Sequence, residues 1–484
     1  MLKRAYILAA PLRPLGNTLP VNTPSQPNLE ATFRDPAGSV VLSPEGVLRT
    51  VVSAHAQETL DFLATPLAAK LTADGHLIAS SVLRSDDDGL LLSHPRVPFI
   101  SYPSEWPPAL WGAAAELTLS LCTQLVEQGW ILKDATPLNI LFTGTQPIFV
   151  DLLSIRRTEP TQPIWFAYGQ FVRTFLLPLL AHTQLGWRLQ TAQTWRDGIE
   201  PEELYTVLSW SHRLRFPART FITLPVVLSK MMKSEAIGGK LPAQPTGDAE
   251  LTRRTLLKTL AGLRSAIERA APAPRTSTWS NYTETAGHYS GDDHAEKRQF
   301  VTVALTACAP AHVLDVGSNT GNYSRLAAAA GAQVVAIDQD SRALDLLYAQ
   351  SREAGLSVLP LCVDLSFPTP ATGWQNRESF SFLERCEGHF DTVLMLAVIH
   401  HILLSSQIPL DRIADLCKRI TTRNLIIEWV PPTDPKFVEV LRGRESIYTH
   451  LTEEAFRAAF LPHFTVEREI TLQNSRILFH MVKH

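Results

Sequence analysis

The sequence predicts an α/β chain in two parts: a doubly wound C-terminal domain preceded by an α+β domain. Three observations support this. The 484 residues exceed one ordinary core, so roughly two or three domains are expected. After the Pro/Ser/Thr-rich stretch "APAPRTSTWS", helix and strand patterns alternate to His484, as in a parallel sheet with crossover helices. Finally, "HVLDVGSNTG" (His312 to Gly321) is followed by the apolar run Gln333–Ile337 closing on Asp338. That order reads as a buried strand, a tight glycine turn, a helix, and a second strand ending in a carboxylate.

Taken in order, residues 1–32 are an irregular lead-in rich in Pro, Asn and Thr. Residues 33–245 form the first domain. Its short strands are "GSVVL", "GVLRTVV", "HLIASSVLR" and "PFISY", around one amphipathic helix over Ala54–Leu71. From 108 the pattern turns helical, with a long helix at Ala109–Gln128. Residues 246–278 hold a helix, Glu250–Ala270, and the linker, and 279–484 form the second domain. There, helix Lys297–Ala309 leads to strand Val313–Val316, and Tyr323–Ala330 is helical. Further strands end at Asp338, at Asp364 (Val358–Val363), at His400–His401 (Thr392–Ile399) and at Glu428 (Asn424–Ile427).

With 45% hydrophobic and 19% charged residues and a net charge of -3, the composition is globular and gives no reason to expect nucleic acid as a partner. The five cysteines are scattered without a Cys-x-x-Cys, which argues for reduced thiols, no structural zinc and a cytoplasmic chain. Arg13 interrupts the short apolar run at the start, so no signal peptide is expected. No uninterrupted apolar run reaches the length of a spanning helix.

The glycine turn chooses its ligand. A dinucleotide fingerprint opens on glycine so that backbone can approach a pyrophosphate, but here that position is Asp315, which would repel one. A ligand with an ammonium and a sulfonium and no phosphate fits better, and S-adenosylmethionine is such a ligand. Gly317 and Gly321 let the turn pass close beneath it, and Asp338, about 20 residues on, is placed for ribose hydroxyls. The set Asp315-x-Gly317-x-x-x-Gly321, Asp338, Asp364 and "FDTVLMLAVIHH" resembles the class I SAM-dependent methyltransferases, with their Rossmann-like fold, over roughly 295–484. The resemblance implies that the loop from Gly317 through Asn319 to Gly321 underlies the methionine, that Asp338 holds the ribose, and that Asp364 and Leu365 flank the adenine. It also implies that the Met395–Ala397 backbone, Leu396 included, borders the methionyl amine. Within the class, "SNTGNYSRLAA", "AVIHHI" and "LIIEWVPPTDPKF" are similar to bacterial nodulation methyltransferases that modify lipo-oligosaccharides.

Transfer to a hydroxyl needs a base. His400, His401 and Glu428 are the candidates; the alternatives are helix capping or local packing for the histidines, and for Glu428 binding the acceptor or a neighbouring Arg. Tyr282 and Tyr289 either fold over the cofactor or pack in the core. No carboxylate cluster has metal spacing, so no metal is expected for methyl transfer.

"GWILKDATPLNILFTGTQPIFVDLLS" carries a second constellation. Asp134, Asn139 and Asp151 have the spacing with which kinases orient a hydroxyl and hold magnesium, so the first domain resembles a degenerate protein-kinase-like fold. It lacks the usual His-Arg pair, the Phe-Gly after Asp151 and a Gly-x-Gly-x-x-Gly loop. Lys70 has no partner glutamate, and Arg49, on a strand before the helix bearing Glu58, is the substitute for the lysine. Three readings stay open: a phosphotransferase using ATP and magnesium, a degenerate domain that binds an acceptor or partner, and turn residues without a site.

The expected function is SAM-dependent O-methylation of a saccharide or other hydroxyl-bearing small-molecule or glycan acceptor. The alternatives are a bifunctional kinase–methyltransferase acting on a bacterial glycan and a non-catalytic SAM-binding scaffold.

Overall fold

Short apolar runs broken by turns give the first half a four-stranded antiparallel sheet. The computed structural model describes residues 34–43, 46–194, 196–234, 248–272, 291–441 and 448–484. The lead-in to residue 32, Tyr282, Tyr289 and most of the linker lie outside them. Strands β1 (Gly38–Ser43), β2 (Gly46–Val52), β3 (Ser81–Asp86) and β4 (Gly89–His94) pair in the order β1-β2-β4-β3. The single helix expected at 54–71 is two, α1 (Ser53–Leu63) and α2 (Pro66–Ala73). Pro66 has no N–H to continue the first, and the Thr65 hydroxyl caps the second by accepting from the Ala68 N–H at 3.0 Å. "PFISY" forms no strand; that role falls to β4, whose alternate residues Leu90, Leu92 and His94 are buried.

Helix α3 (Pro108–Glu127) is the one described helix long and apolar enough to cross a membrane, yet it is the core of this half. Leu110, Trp111, Ala114, Leu121 and Leu125 are all buried on it. Behind it come β5 (Trp130–Leu132), the hairpin of β6 (Ile140–Thr143) and β7 (Gln146–Phe149), and β8 (Ile155–Arg157), which pairs with β5. Helices follow, ending with Ala249–Ala270, whose buried stripe of Leu256, Leu260, Leu263 and Ile267 lies against α3.

The second half is a seven-stranded sheet in the order β11-β10-β9-β12-β13-β15-β14. β9 (His312–Val316), β10 (Gln333–Asp338), β11 (Val358–Cys362), β12 (Phe390–Met395) and β13 (Thr421–Trp429) are parallel. Helices Gly291–Cys308, Asn322–Ala329, Ser341–Glu353 and Leu410–Ile420 cover the sheet, so its central strands read as unbroken apolar runs. Two findings differ from the expectation. The last strands, β14 (Phe464–Thr471) and β15 (Ile477–Lys483), are antiparallel and close the sheet as a hairpin. β12 stops at Met395, so His400 and His401 lie in a helix, Ile399–Leu404, and not at a strand end.

The two halves share one core. Phe99 packs on Phe390 and Phe382, with ring centroids 5.5 and 6.1 Å apart. Arg385 enters the joint fully buried: its guanidinium donates to both Glu105 oxygens and to the Ile100 carbonyl, and lies over the Phe99 and Tyr102 rings. Asp345 accepts from the Ala109 N–H at 2.8 Å, setting a carboxylate from the second half on the N-terminal turn of α3. The first half touches the edge where strands start, at Ser357, His312, Gln333 and His389, and also reaches the segment after β11, where Arg34 pairs with Glu378 and the Tyr102 hydroxyl accepts from the Phe380 N–H. Arg385→Ala strands Glu105 as a buried unpaired charge and should cost about 3–5 kcal/mol. Chemical denaturation of the variant should show one transition at a lower midpoint; an unchanged midpoint would remove Arg385 from the joint.

Candidate functional site

The strand ends of β9, β10, β11 and β12 converge on one crevice, as the reversal of strand order between β9 and β12 requires. Gly317 sits at φ +69°, a left-handed conformation open to glycine, and a Cβ there would stand 2.3 Å from Val398 Cγ2. That contact lays the segment before His400 directly over the loop. Gly321 is also left-handed, and its missing Cβ makes room for Leu347. Asn319, at φ +50°, donates its backbone N–H to Asp338 at 2.8 Å and accepts the Thr320 N–H with its own side chain.

Asp315 is fully buried, and burial pushes its carboxyl up to about 7 although the Ser324 hydroxyl donates to it at 2.5 Å. Burial also raises Asp338, against two N–H donors, Asn319 and Asp340, one on each oxygen. Asp364 accepts from the Ser366 N–H and hydroxyl through one oxygen, Oδ1. Leu365 and Leu396 are buried walls. The Ser318 hydroxyl is buried with no hydrogen-bond partner among the described residues. A left-handed glycine cradle, an orphaned hydroxyl and a strand-end carboxylate fit S-adenosylmethionine, with Asp315 and Asp338 supplying negative charge for a cationic, ribose-bearing molecule.

Glu428 does not fit the role of a base. It lies inside β13, fully buried, gripped by Lys297 and, at 3.3 Å, by Arg476. Arg476 continues to Asp434 at 2.7 and 3.2 Å. Burial holds His400 well below the usual imidazole range, with His401, Arg476 and Lys297 adding to it; His401 is lowered by burial and then by Arg476. Both shifts favour the uncharged ring. The ring centroids lie 4.2 Å apart, and among the described residues the buried His400 Nδ1 has no hydrogen-bond partner.

Lys297, Arg476, Asp434 and Ser318 escaped the sequence reading. Lys297 had a signal: it shares a helical stripe with Asp293, Phe300, Val301 and Ala304, all buried. The left-handed turn at Ala397, φ +56° after β12, had none, since alanine rarely takes that conformation.

In the first half, Asp134, Asn139 and Asp151 lie around one loop cluster with Asp35 and Lys133. Arg49 reaches Asp151 at 3.4 Å and the Val150 carbonyl at 2.8 Å. Its Nε points at His94 Nε2 at 3.3 Å, a ring that burial and Arg49 keep neutral at about 4. Glu58 is elsewhere, accepting from the Arg157 N–H. Burial raises Asp151 and Asp134.

Gly317→Ala forces a left-handed alanine against Val398, costing about 1–3 kcal/mol of strain. Calorimetry should show SAM affinity falling about tenfold or more; unchanged affinity would refute the cradle. A cationic ligand favours the ionised Asp315. SAM affinity should therefore rise, with proton release, as pH increases through about 7, and Asp315→Asn should flatten that slope.

A methyltransferase-domain family model matches residues 314–424, which span β9 to β13 and the crevice. The nodulation protein NoeA of Rhizobium meliloti (strain 1021) is 30% identical over 449 residues, 90% of this chain and 92% of that protein. Among solved structures, the N-methyltransferase NodS from Bradyrhizobium japonicum WM9 aligns over 40% of this chain and 97% of its own, at 14% identity and a TM-score of 0.29. The bifunctional kinase-methyltransferase WbdD aligns over 43% of each chain, at 17% identity and a TM-score of 0.30. On the match to NoeA along nearly its whole length, this chain belongs to the NoeA family, and its C-terminal half is a SAM-dependent methyltransferase domain.

Proposed function

We propose that the chain methylates a hydroxyl of a saccharide-type acceptor, with the histidine pair taking the proton. The observation that carries this reading is an uncharged imidazole pair beside the Gly317 loop, joined to it through Val398. Bound S-adenosylmethionine supplies an electrophilic methyl on a sulfonium. A neutral imidazole accepts the hydroxyl proton as the new O–C bond forms, where a protonated one has no lone pair to offer. Burial, and then Arg476, keep the His401 ring in its lone-pair-bearing form before transfer, at a cost in basicity. His401 is the less buried of the two and the one we assign as base; His400 supports it. The saccharide class rests on the sequence resemblance to nodulation methyltransferases that modify lipo-oligosaccharides; the relative NoeA is named a nodulation protein, which is compatible with it. His401→Ala should lower turnover about 10²–10⁴-fold with SAM affinity intact. Equal turnover in His401→Ala and the parent would sink the assignment.

For the first half we propose a kinase-like but degenerate domain. Supporting the likeness, a helix follows β2, Asp134 follows β5, Asn139 leads into β6 and Asp151 follows β7. Supporting degeneracy, Arg49 occupies Asp151 while Glu58 is engaged elsewhere, so the ion pair that positions phosphates in kinases is not assembled. Among the described residues one strand alone precedes β2, and a covering glycine hairpin needs two. The chain should show no magnesium-dependent ATP binding by thermal shift; binding abolished by Asp151→Ala would instead establish the bifunctional alternative.

A further inference from the structure

Helix Leu224–Ser234 is apolar on two faces. Phe221, Ile222 and Val226 point into the core. Leu224, Val227, Leu228 and Met231 recur at i, i+3, i+4 and i+7, so they form a stripe along the other side, and each is 38% to 58% exposed. Trp210, 74% exposed, and Leu214 stand on the neighbouring turns. Isolated exposed apolar residues are ordinary; a helical stripe with an adjoining tryptophan is a surface.

Its charge is mainly basic, although Glu202 and Glu203 on the neighbouring helix Pro201–Val207 are exposed. Between Glu203 and Glu235 the sequence holds Arg213, Arg215, Arg219, Lys230 and Lys233 and no Asp or Glu. Arg213 and Lys230 both lie over the Tyr205 ring, which gathers two of these cations beside the stripe. Arg215, Arg219 and Lys230 are exposed. A second copy of the chain is a poor occupant, because a two-fold contact would set these cations against themselves. An apolar stripe with tryptophan, edged by long basic side chains, matches the boundary of an anionic bilayer, where the stems lie along acyl chains and the cations meet headgroup phosphates. At 11 residues the helix is too short to span, so it lies in the plane of the surface.

We propose that this face docks the enzyme on an anionic membrane surface, independently of which acceptor it methylates. The test is flotation of the full chain with vesicles of phosphatidylcholine alone or with about one-third phosphatidylglycerol. The expected result is binding to the anionic vesicles about tenfold or more above neutral ones, weakened by salt. The double variant L228D/M231D should lose about tenfold or more of it, with SAM affinity and Tm unchanged. No preference for anionic vesicles overturns the proposal. So does retained binding in the variant, since the stripe would then not insert. Equal binding of soluble polyglutamate, or a dimer abolished by the double variant, would assign the face to an acidic protein or to a second copy and overturn it equally.

Discussion

Four charges sealed inside the second half hold its catalytic edge in place: Lys297, Glu428, Arg476 and Asp434. They lie on a helix, a central strand, the turn into the last strand, and the loop after β13. Each charge alone would be intolerable in that setting, and removing one partner of such a pair typically costs about 3–5 kcal/mol. The chain of pairs therefore ties four separate elements to one register. It also bears on the histidines: burial is the first cause that lowers both rings, with Arg476 adding to it at both and Lys297 at His400 alone. Pairing leaves both Glu428 oxygens engaged by cations.

A carboxylate at a strand end has opposite fates in the two halves. Asp338 meets only backbone N–H donors, whose bonds leave room for ribose hydroxyls. Asp151 meets a guanidinium, which supplies a full charge in place of the metal a phosphotransferase would need there. The guanidinium keeps its charge, but burial raises the Asp151 carboxyl, so the pair is open to loss as pH falls and that carboxyl takes a proton.

The second half was legible because its signals are local: glycines that a turn demands, apolar runs of strand length, polar residues where runs stop. The cofactor loop, β9 to β11, and helices α3 and Ala249–Ala270 follow from such signals. Reading β12 through to Ile399 failed because "LMLAVI" is apolar throughout, and apolarity does not record where Ala397 turns left-handed. Glu428 was left between base, acceptor-binding and Arg-pairing readings for a different reason. Its partners lie 131 and 48 residues away, and no local pattern announces a pair of that span. Pro66 did announce the break between α1 and α2, and the apolar period across it masked the signal.

The Pro/Ser/Thr stretch near 271–278 is a boundary in composition and not in energy. Were the halves independent, Phe382, Phe390 and Cys386 would need solvent-tolerant neighbours on the starting edge of the sheet; instead they are fully buried with Phe99, Arg385 and Glu105. An aromatic cluster and a buried ion pair of that kind exclude water from both sides at once, so separating them would expose apolar area and strand a charge together. The docked first half covers the edge where the strands start, which a doubly wound sheet does not use for ligands, and so stability at the joint and the candidate site draw on opposite ends of the same strands.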